Sequence, residues 1–174
     1  MPKEIKEEHG YLLCRADNLH GADIHLDIPS VGATENAILA ACGCRGTTVI
    51  LNAAREPEIK DLERFLRSMG HKVQGAMTST ITVEGGSTTE DAEHTVMPDR
   101  IVAATYLSAV AASGGEVELL GADSGHLSTV VASLREAGCS VESDSGRIRL
   151  KSIGKLHGIR PVRTAPYPGF PTDA

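Results

Sequence analysis

Apolar positions along this chain change period in a fixed order, and they do so twice. Ile24, Leu26 and Ile28 alternate with polar residues, as a half-buried strand requires. From 31 to 42 the run is apolar around nearly its whole circumference, with Glu35 as its single charge, which predicts a helix enclosed on all sides. The β-branched stretch 47–53 predicts a second strand. After it, Ile59, Leu62, Leu66 and Met69 fall on one helical face, with Lys60, Glu63 and Arg67 assigned elsewhere, so the second helix is an outer, amphipathic one. Pro57 suits its first turn, where a missing N–H costs nothing, and Gly70 suits its C-terminal cap. Two short strands, near 71–77 and 79–84, complete a βαβαββ unit.

The same order returns downstream. Pro29 and Pro98, Gly46 and Gly115, and Ala53 and Ala122 are each 69 residues apart, and Gly70 and Gly138 are 68 apart. No charge interrupts 101–113, whereas the later helix carries Leu127, Val130, Leu134 and Ala137 on one face with Arg135 and Glu136 away from it. Two strands, near 139–143 and 147–150, close the second copy. A period this long, with a capping residue at the same point of each copy, implies stacked α/β repeats. Residues 1–22 read as the tail of a preceding unit, 23–90 and 91–155 as two units, and 156–174, with Pro171-Thr172-Asp173 restarting the pattern, as the start of a third. The Gly-rich polar stretch 85–93 reads as the joint between units. The chain is expected to be an internal segment of something larger.

Composition narrows the function classes. At 174 residues and 41% hydrophobic content the chain can bury one core or two small ones. Two Phe, three Tyr and no Trp leave no platform for stacking single-stranded nucleic acid, and a net charge of −6 argues against a broad nucleic-acid or anionic-membrane surface. Any anionic ligand must be held locally. With no signal-like opening and no membrane-length apolar run, a cytoplasmic location is expected. Cys14, Cys42, Cys44 and Cys139 read as reduced thiols, and neither the Cys42-Gly43-Cys44 pair nor the seven His have metal-ligand spacing, so neither a metal nor a cofactor is expected.

Five strings resemble the enolpyruvyl transferase family, and within it the members acting on UDP-N-acetylglucosamine. They are Pro29-Ser30-Val31-Gly32-Ala33-Thr34, 52–59 (Asn52-Ala53-Ala54-Arg55-Glu56-Pro57-Glu58-Ile59), 78–85, Pro98-Asp99-Arg100-Ile101 and 163–173 (ending Pro171-Thr172-Asp173). The 5-enolpyruvylshikimate 3-phosphate synthase branch shares the unit but not the 52–58 string, and ranks second. The resemblance implies an α/β fold (α+β) of repeated βαβαββ units around buried inner helices, an inside-out α/β barrel that is incomplete here. Two such domains would flank an active-site cleft, with one copy in each and the Gly-rich joint at the hinge. The reaction implied moves the enolpyruvyl group of phosphoenolpyruvate to the 3-hydroxyl of UDP-N-acetylglucosamine and releases phosphate, the first committed step of peptidoglycan synthesis.

Ser30, Val31 and Gly32 open a buried helix, whose orphan N–H groups and positive dipole end form an anion site; the resemblance places the UDP phosphates there. Ser30 also reads as a plain N-cap. Asp173 matches the family's substrate-binding general base for the sugar 3-hydroxyl, although beside the end of an isolated chain a solvated aspartate is the simpler reading. Asp99 and substrate-binding Arg100 would face the cleft, or else cap a helix and form a surface ion pair. Glu56, a third catalytic candidate, precedes a helix start where the dipole favours a carboxylate in any case.

By the same resemblance the mobile-loop Cys or Asp and the cations that grip phosphoenolpyruvate lie outside these strings, so the isolated chain is expected to be inactive. The alternative is a non-catalytic nucleotide-sugar binding or interaction module. Wetting ~400 Å² of inner-helix surface would forfeit on the order of 10 kcal/mol at about 25 cal/mol per Å². The isolated chain is therefore expected either to self-associate through exposed inner helices or to be loosely packed.

Overall fold

The computed structural model describes residues 4–173. The chain divides into two compact units, Met1–Thr95 and Val96–Ala174.

The first unit opens with a hairpin, β1 (Glu4–Glu8) and β2 (Tyr11–Arg15), closed by His9 and Gly10, both at positive φ as a two-residue turn needs. This hairpin is a sheet of its own. Then follow β3 (Asp23–His25), α1 (Val31–Gly43), β4 (Gly46–Leu51), α2 (Pro57–Ser68), β5 (Lys72–Gln74) and β6 (Thr80–Gly85). The sheet order is β3-β4-β6-β5, parallel between β3 and β4 and antiparallel elsewhere, with Ile50 opposite both Ile24 and Ile81. Ile50, Ile81, Val83 and Val73 point to one face and meet Ile38 and Ala41 of α1 and Ile59 and Leu66 of α2 in a single core. Lys72 and Glu84 pair at 2.8 Å on exposed sheet positions.

Glu63 departs from the expectation that it faces away from the core. It stands four residues after Ile59, on the inner face, and is 2% exposed. Its Oε2 accepts a hydrogen bond of 2.7 Å from the Ala76 amide and its Oε1 one of 2.5 Å from Lys60 Nζ. The burial is tolerated because both oxygens are engaged.

The second unit holds α3 (Arg100–Ser113), β7 (Gly115–Leu120), a short 3-10 turn (Ser124–Leu127), α4 (Ser128–Glu136), β8 (Ser140–Asp144) and β9 (Arg147–Ser152). Its sheet, β7-β9-β8, is antiparallel throughout. Leu107 of α3, Leu127, Val130 and Leu134 of the α4 region, and Ile148 and Leu150 of β9 form its core. The leading strand of a full βαβαββ unit has no counterpart here among the described residues. The segment preceding α3 lacks the alternating apolar residues of 24–28 and is committed to other contacts.

Those contacts fasten the expected joint to the first unit. Gly86 N donates to Cys42 O at 3.2 Å, Glu90 N donates to Met69 O at 2.9 Å, and Thr89 Oγ1 lies 3.2 Å from His71 Nε2. His94 Nε2 sits 3.1 Å from Asp61 Oδ1, with its ring against Phe65. Residues 91–95 thus pack with the first unit, although composition alone assigns 91 onward to the second copy.

The two apolar helices are each covered on one face only. α1 buries Thr34, Ile38, Ala41 and Cys42, yet Leu39 is 52% exposed; α3 buries Ala103, Ala104, Leu107 and Ala111, yet Tyr106 is 58% exposed. Each unit's own sheet and outer helix satisfy half of the inner helix and leave the other half bare.

Candidate functional site

In the first unit, β3 and β4 are parallel and each is followed by a helix, so both connections leave from the same sheet edge. Ligands of open α/β sheets bind at such edges. The two connections are stitched together. Leu26 N donates to Leu51 O at 3.1 Å, and Asn52, at φ 56°, sends its Nδ2 to Leu26 O at 2.8 Å. Asn tolerates this left-handed backbone because its short amide bonds locally. Ala53 N donates to Ser79 O at 3.1 Å, and Ala54 N donates to Thr34 Oγ1 at 3.0 Å. The turn carrying Arg55 and Glu56 is therefore held from three sides.

α1 starts at this edge. Ser30 is its N-cap, with Oγ accepting from Ala33 N at 3.3 Å and its carbonyl from Thr34 N at 3.0 Å. The helix supplies no acceptor for the Val31 and Gly32 amides. The cap is neutral, no acid stands in the first turn, and Gly32 is exposed; a Cβ added there would meet nothing within 4 Å. Positive dipole, free amide edge and open approach coincide, which is the chemistry of an anion cradle. Glu35, one turn deeper, has its carboxyl pKa raised, first by burial and then by repulsion from Glu58.

Glu56 is the N-cap residue of α2 and is buried, with Pro57 in the first turn; its side chain makes no capping bond to the helix. Arg55, beside it, is exposed.

α3 begins differently. Asp99 Oδ1 accepts from Ile101 N at 2.8 Å and from Val102 N at 3.0 Å, so this tip already holds a carboxylate. A second anion would meet that charge. Arg100 lies with its guanidinium 5.5 Å from the centroid of the Tyr167 ring, a cation–π distance. The segment bearing Tyr167 is fixed by Gly169 N to Pro166 O at 2.8 Å, by Thr129 Oγ1 to Gly169 O at 3.4 Å, and by Phe170 packing on the second core. Asp173 follows at its end, exposed.

Ser30, Val31, Gly32 and Glu56 thus gather at one edge of the first unit. Asp99 and Arg100 lie together in the second, with the Asp173 segment reached through Tyr167. Sequence reasoning passed over Thr34 and Asn52, the residues that hold the edge together. A hydroxyl one turn inside an apolar helix and an Asn just after a β-branched strand were the available signals. Cys42, Cys44 and Cys139 are buried, and burial followed by the neighbouring Cys44 pushes the Cys42 thiol up, away from the reactive thiolate. No helix is long and apolar enough to cross a membrane among the described residues.

The family model for EPSP synthase (3-phosphoshikimate 1-carboxyvinyltransferase) matches residues 3–174. The chain is 47% identical over 170 residues to UDP-N-acetylglucosamine 1-carboxyvinyltransferase 2 of Caldanaerobacter subterraneus subsp. tengcongensis, covering 98% of this chain and 41% of that protein. It is 49% identical over 159 residues to UDP-N-acetylglucosamine 1-carboxyvinyltransferase of Finegoldia magna, covering 90% and 37%. Among solved structures, the enolpyruvyl transferase NikO from Streptomyces tendae superposes with a TM-score of 0.79 at 23% identity, over 97% of this chain and 43% of that one. EPSP synthase from Acinetobacter baumannii gives 0.60 at 23% identity, over 90% and 38%. The fold is that of the enolpyruvyl transferases, and the chain spans about two fifths of the length of the curated relatives it matches.

Proposed function

The chain belongs to the EPSP synthase (3-phosphoshikimate 1-carboxyvinyltransferase) family, and from that premise we propose that it serves enolpyruvyl transfer from phosphoenolpyruvate to the 3-hydroxyl of UDP-N-acetylglucosamine. The observation that carries this reading is the α1 tip: a neutral Ser30 cap, free Val31 and Gly32 amide edges, and no competing acid in the first turn. It suits a diphosphate, and the relatives at 47–49% identity are named for a UDP-sugar. The shikimate-phosphate substrate of the sister branch ranks below it.

In this reading the Val31 and Gly32 amides take the diphosphate, while Ser30 Oγ organises the turn by capping Ala33. The net reaction forms a bond from the sugar 3-oxygen to the enol carbon of phosphoenolpyruvate, breaks that carbon's bond to phosphate and removes the hydroxyl proton. Asp173 is the base that accepts the proton, a role for which its carboxylate must lose water when substrate is bound. Arg100, braced on Tyr167, contributes cationic charge near the start of α3, and Asp99 holds that start by capping it. Glu56 shapes the first unit's site edge. The setting is the cytoplasm, in peptidoglycan synthesis and cell-wall biogenesis.

The two copies belong to two domains of a larger βαβαββ assembly, with 1–22 and 156–174 as parts of neighbouring units. The bare faces of α1 and α3 are the surfaces that sister units or a second copy would cover. Charge stabilisation is usually the largest catalytic term, and the resemblance places most of its cations outside the strings matched here. The 174 residues accordingly bind without turning over.

Calorimetry tests this. UDP-N-acetylglucosamine and UDP bind the purified chain, shikimate 3-phosphate does not, and no phosphate is released with phosphoenolpyruvate present. Absence of UDP-N-acetylglucosamine binding, or preference for shikimate 3-phosphate, would defeat the reading.

A further inference from the structure

Thr34 is wholly buried, and its hydroxyl makes two bonds whose directions are fixed by chemistry. The Ala54 amide can only donate, so Thr34 Oγ1 accepts from it, at 3.0 Å. The hydroxyl proton must then go elsewhere, and it goes to Ser30 O at 2.8 Å. One oxygen thus joins the first turn of α1 to the turn ahead of α2. Asn52 to Leu26 and Ala53 to Ser79 tie the same turn to the sheet and to the β5–β6 connection. Thr34 is thus a hydroxyl bridge between Ser30 at the α1 tip and the turn that carries Arg55 and Glu56.

We propose that Thr34 is a positioning residue for the sugar-nucleotide site, its hydroxyl registering the phosphate-binding turn of α1 against the 52–56 turn. The proposal rests on the diphosphate reading of the α1 tip. Valine has the shape of threonine but neither donates nor accepts, so it leaves the buried Ala54 N–H unanswered and frees the two turns from each other. Serine restores both bonds.

The experiment uses the isotopically labelled full chain as wild type, T34V and T34S, followed by amide resonances during titration with UDP-N-acetylglucosamine. In wild type and T34S, ligand moves the Gly32, Ala33, Ala54 and Arg55 amides together. In T34V, Gly32 and Ala33 still respond, Ala54 and Arg55 do not, and affinity falls about tenfold, a usual size for coupling between sites. Wild-type affinity with an undiminished Arg55 response in T34V overturns the proposal, as does failure of T34S to restore them.

If wild type itself binds no UDP-N-acetylglucosamine, the functional reading fails, and hydrogen exchange separately judges the bridge. Protection of the Ala54 amide falls in T34V and holds in T34S; equal protection in all three overturns the proposal. Should T34V not fold, Thr34→Cys keeps the volume with a weaker acceptor and is read by the same two measurements, with wild-type behaviour in both counting against the bridge.

Discussion

Glu63 Oε2 and the Ala76 amide lie 2.7 Å apart, joining the middle of α2 to the turn between β5 and β6. That turn presents the Ser79 carbonyl to Ala53 N, so a carboxylate far from the α1 tip supports the edge on which the tip stands. Glu63→Ala leaves a buried N–H without its acceptor and removes the partner of Lys60. A loss of about 2–3 kcal/mol is expected in urea unfolding. Glu63→Gln, which still offers a carbonyl oxygen to Ala76, costs less. An Ala variant as stable as wild type would show that the bond is incidental.

Gly32→Asp has opposite effects on folding and binding. Space around Gly32 is open, and a carboxylate in the first turn of α1 interacts favourably with the dipole, by about 0.3–1 kcal/mol. The same charge would take the place proposed for the diphosphate. Thermal unfolding should show a chain at least as stable as wild type, while calorimetry shows UDP-N-acetylglucosamine binding lost. Retained binding would place the phosphates elsewhere.

At the start of α3 the cap is expected to matter for its hydrogen bonds more than for its charge. Asp99→Ala removes the acceptor of two amides and costs about 1 kcal/mol, whereas Asp99→Asn stays within a few tenths. Equilibrium unfolding of the two variants distinguishes them, and equal losses would contradict the capping account.

Glu35 provides a pH test. Burial and Glu58 raise its folded-state pKa, so the folded chain binds its proton more readily than the unfolded chain. Stability from this group is fully present below the unfolded carboxylate pKa and is lost as pH rises through the raised folded value. Glu35→Gln should therefore melt higher than wild type at neutral pH, with the gap closing as pH falls through the carboxylate range. A gap that widens on acidification would reverse the sign of the argument.

The bare helix faces predict association. Sedimentation of wild type should be concentration-dependent, and Leu39→Glu combined with Tyr106→Glu should leave a monomer, since both positions are more than half exposed. Monomeric wild type at all concentrations would mean that the exposed apolar area is too small to drive pairing.

Much of this fold was legible because periodicity and capping chemistry are local. The starts of α1 and α3 beside Ser30 and Asp99, the outer helix from Pro57 and the Gly70 stop all follow from residues within a few positions of one another. Glu63 was misplaced because a charge on a mostly apolar face looks like an edge residue until the Ala76 amide, thirteen positions away, comes to meet it. The 85–93 stretch reads as a joint because Gly and Ser content reports backbone freedom; the Cys42, Met69 and His71 contacts that remove this freedom are long-range. Ser30 and Glu56 stand out as site candidates by string, whereas Thr34 and Asn52 carry only faint local signals, and the partners they hold, Ala54 and Leu26, lie 20 and 26 positions away.

Two helices repeated at a 69-residue spacing would by default offer two equivalent sockets. Asp99 brings a carboxylate to one of them from within, while the Ser30 hydroxyl at the other is neutral. The duplicated scaffold is thereby handed: of these two helix starts, the α1 tip alone keeps its first amides clear of a carboxylate, so the proposed diphosphate would tell the two copies apart.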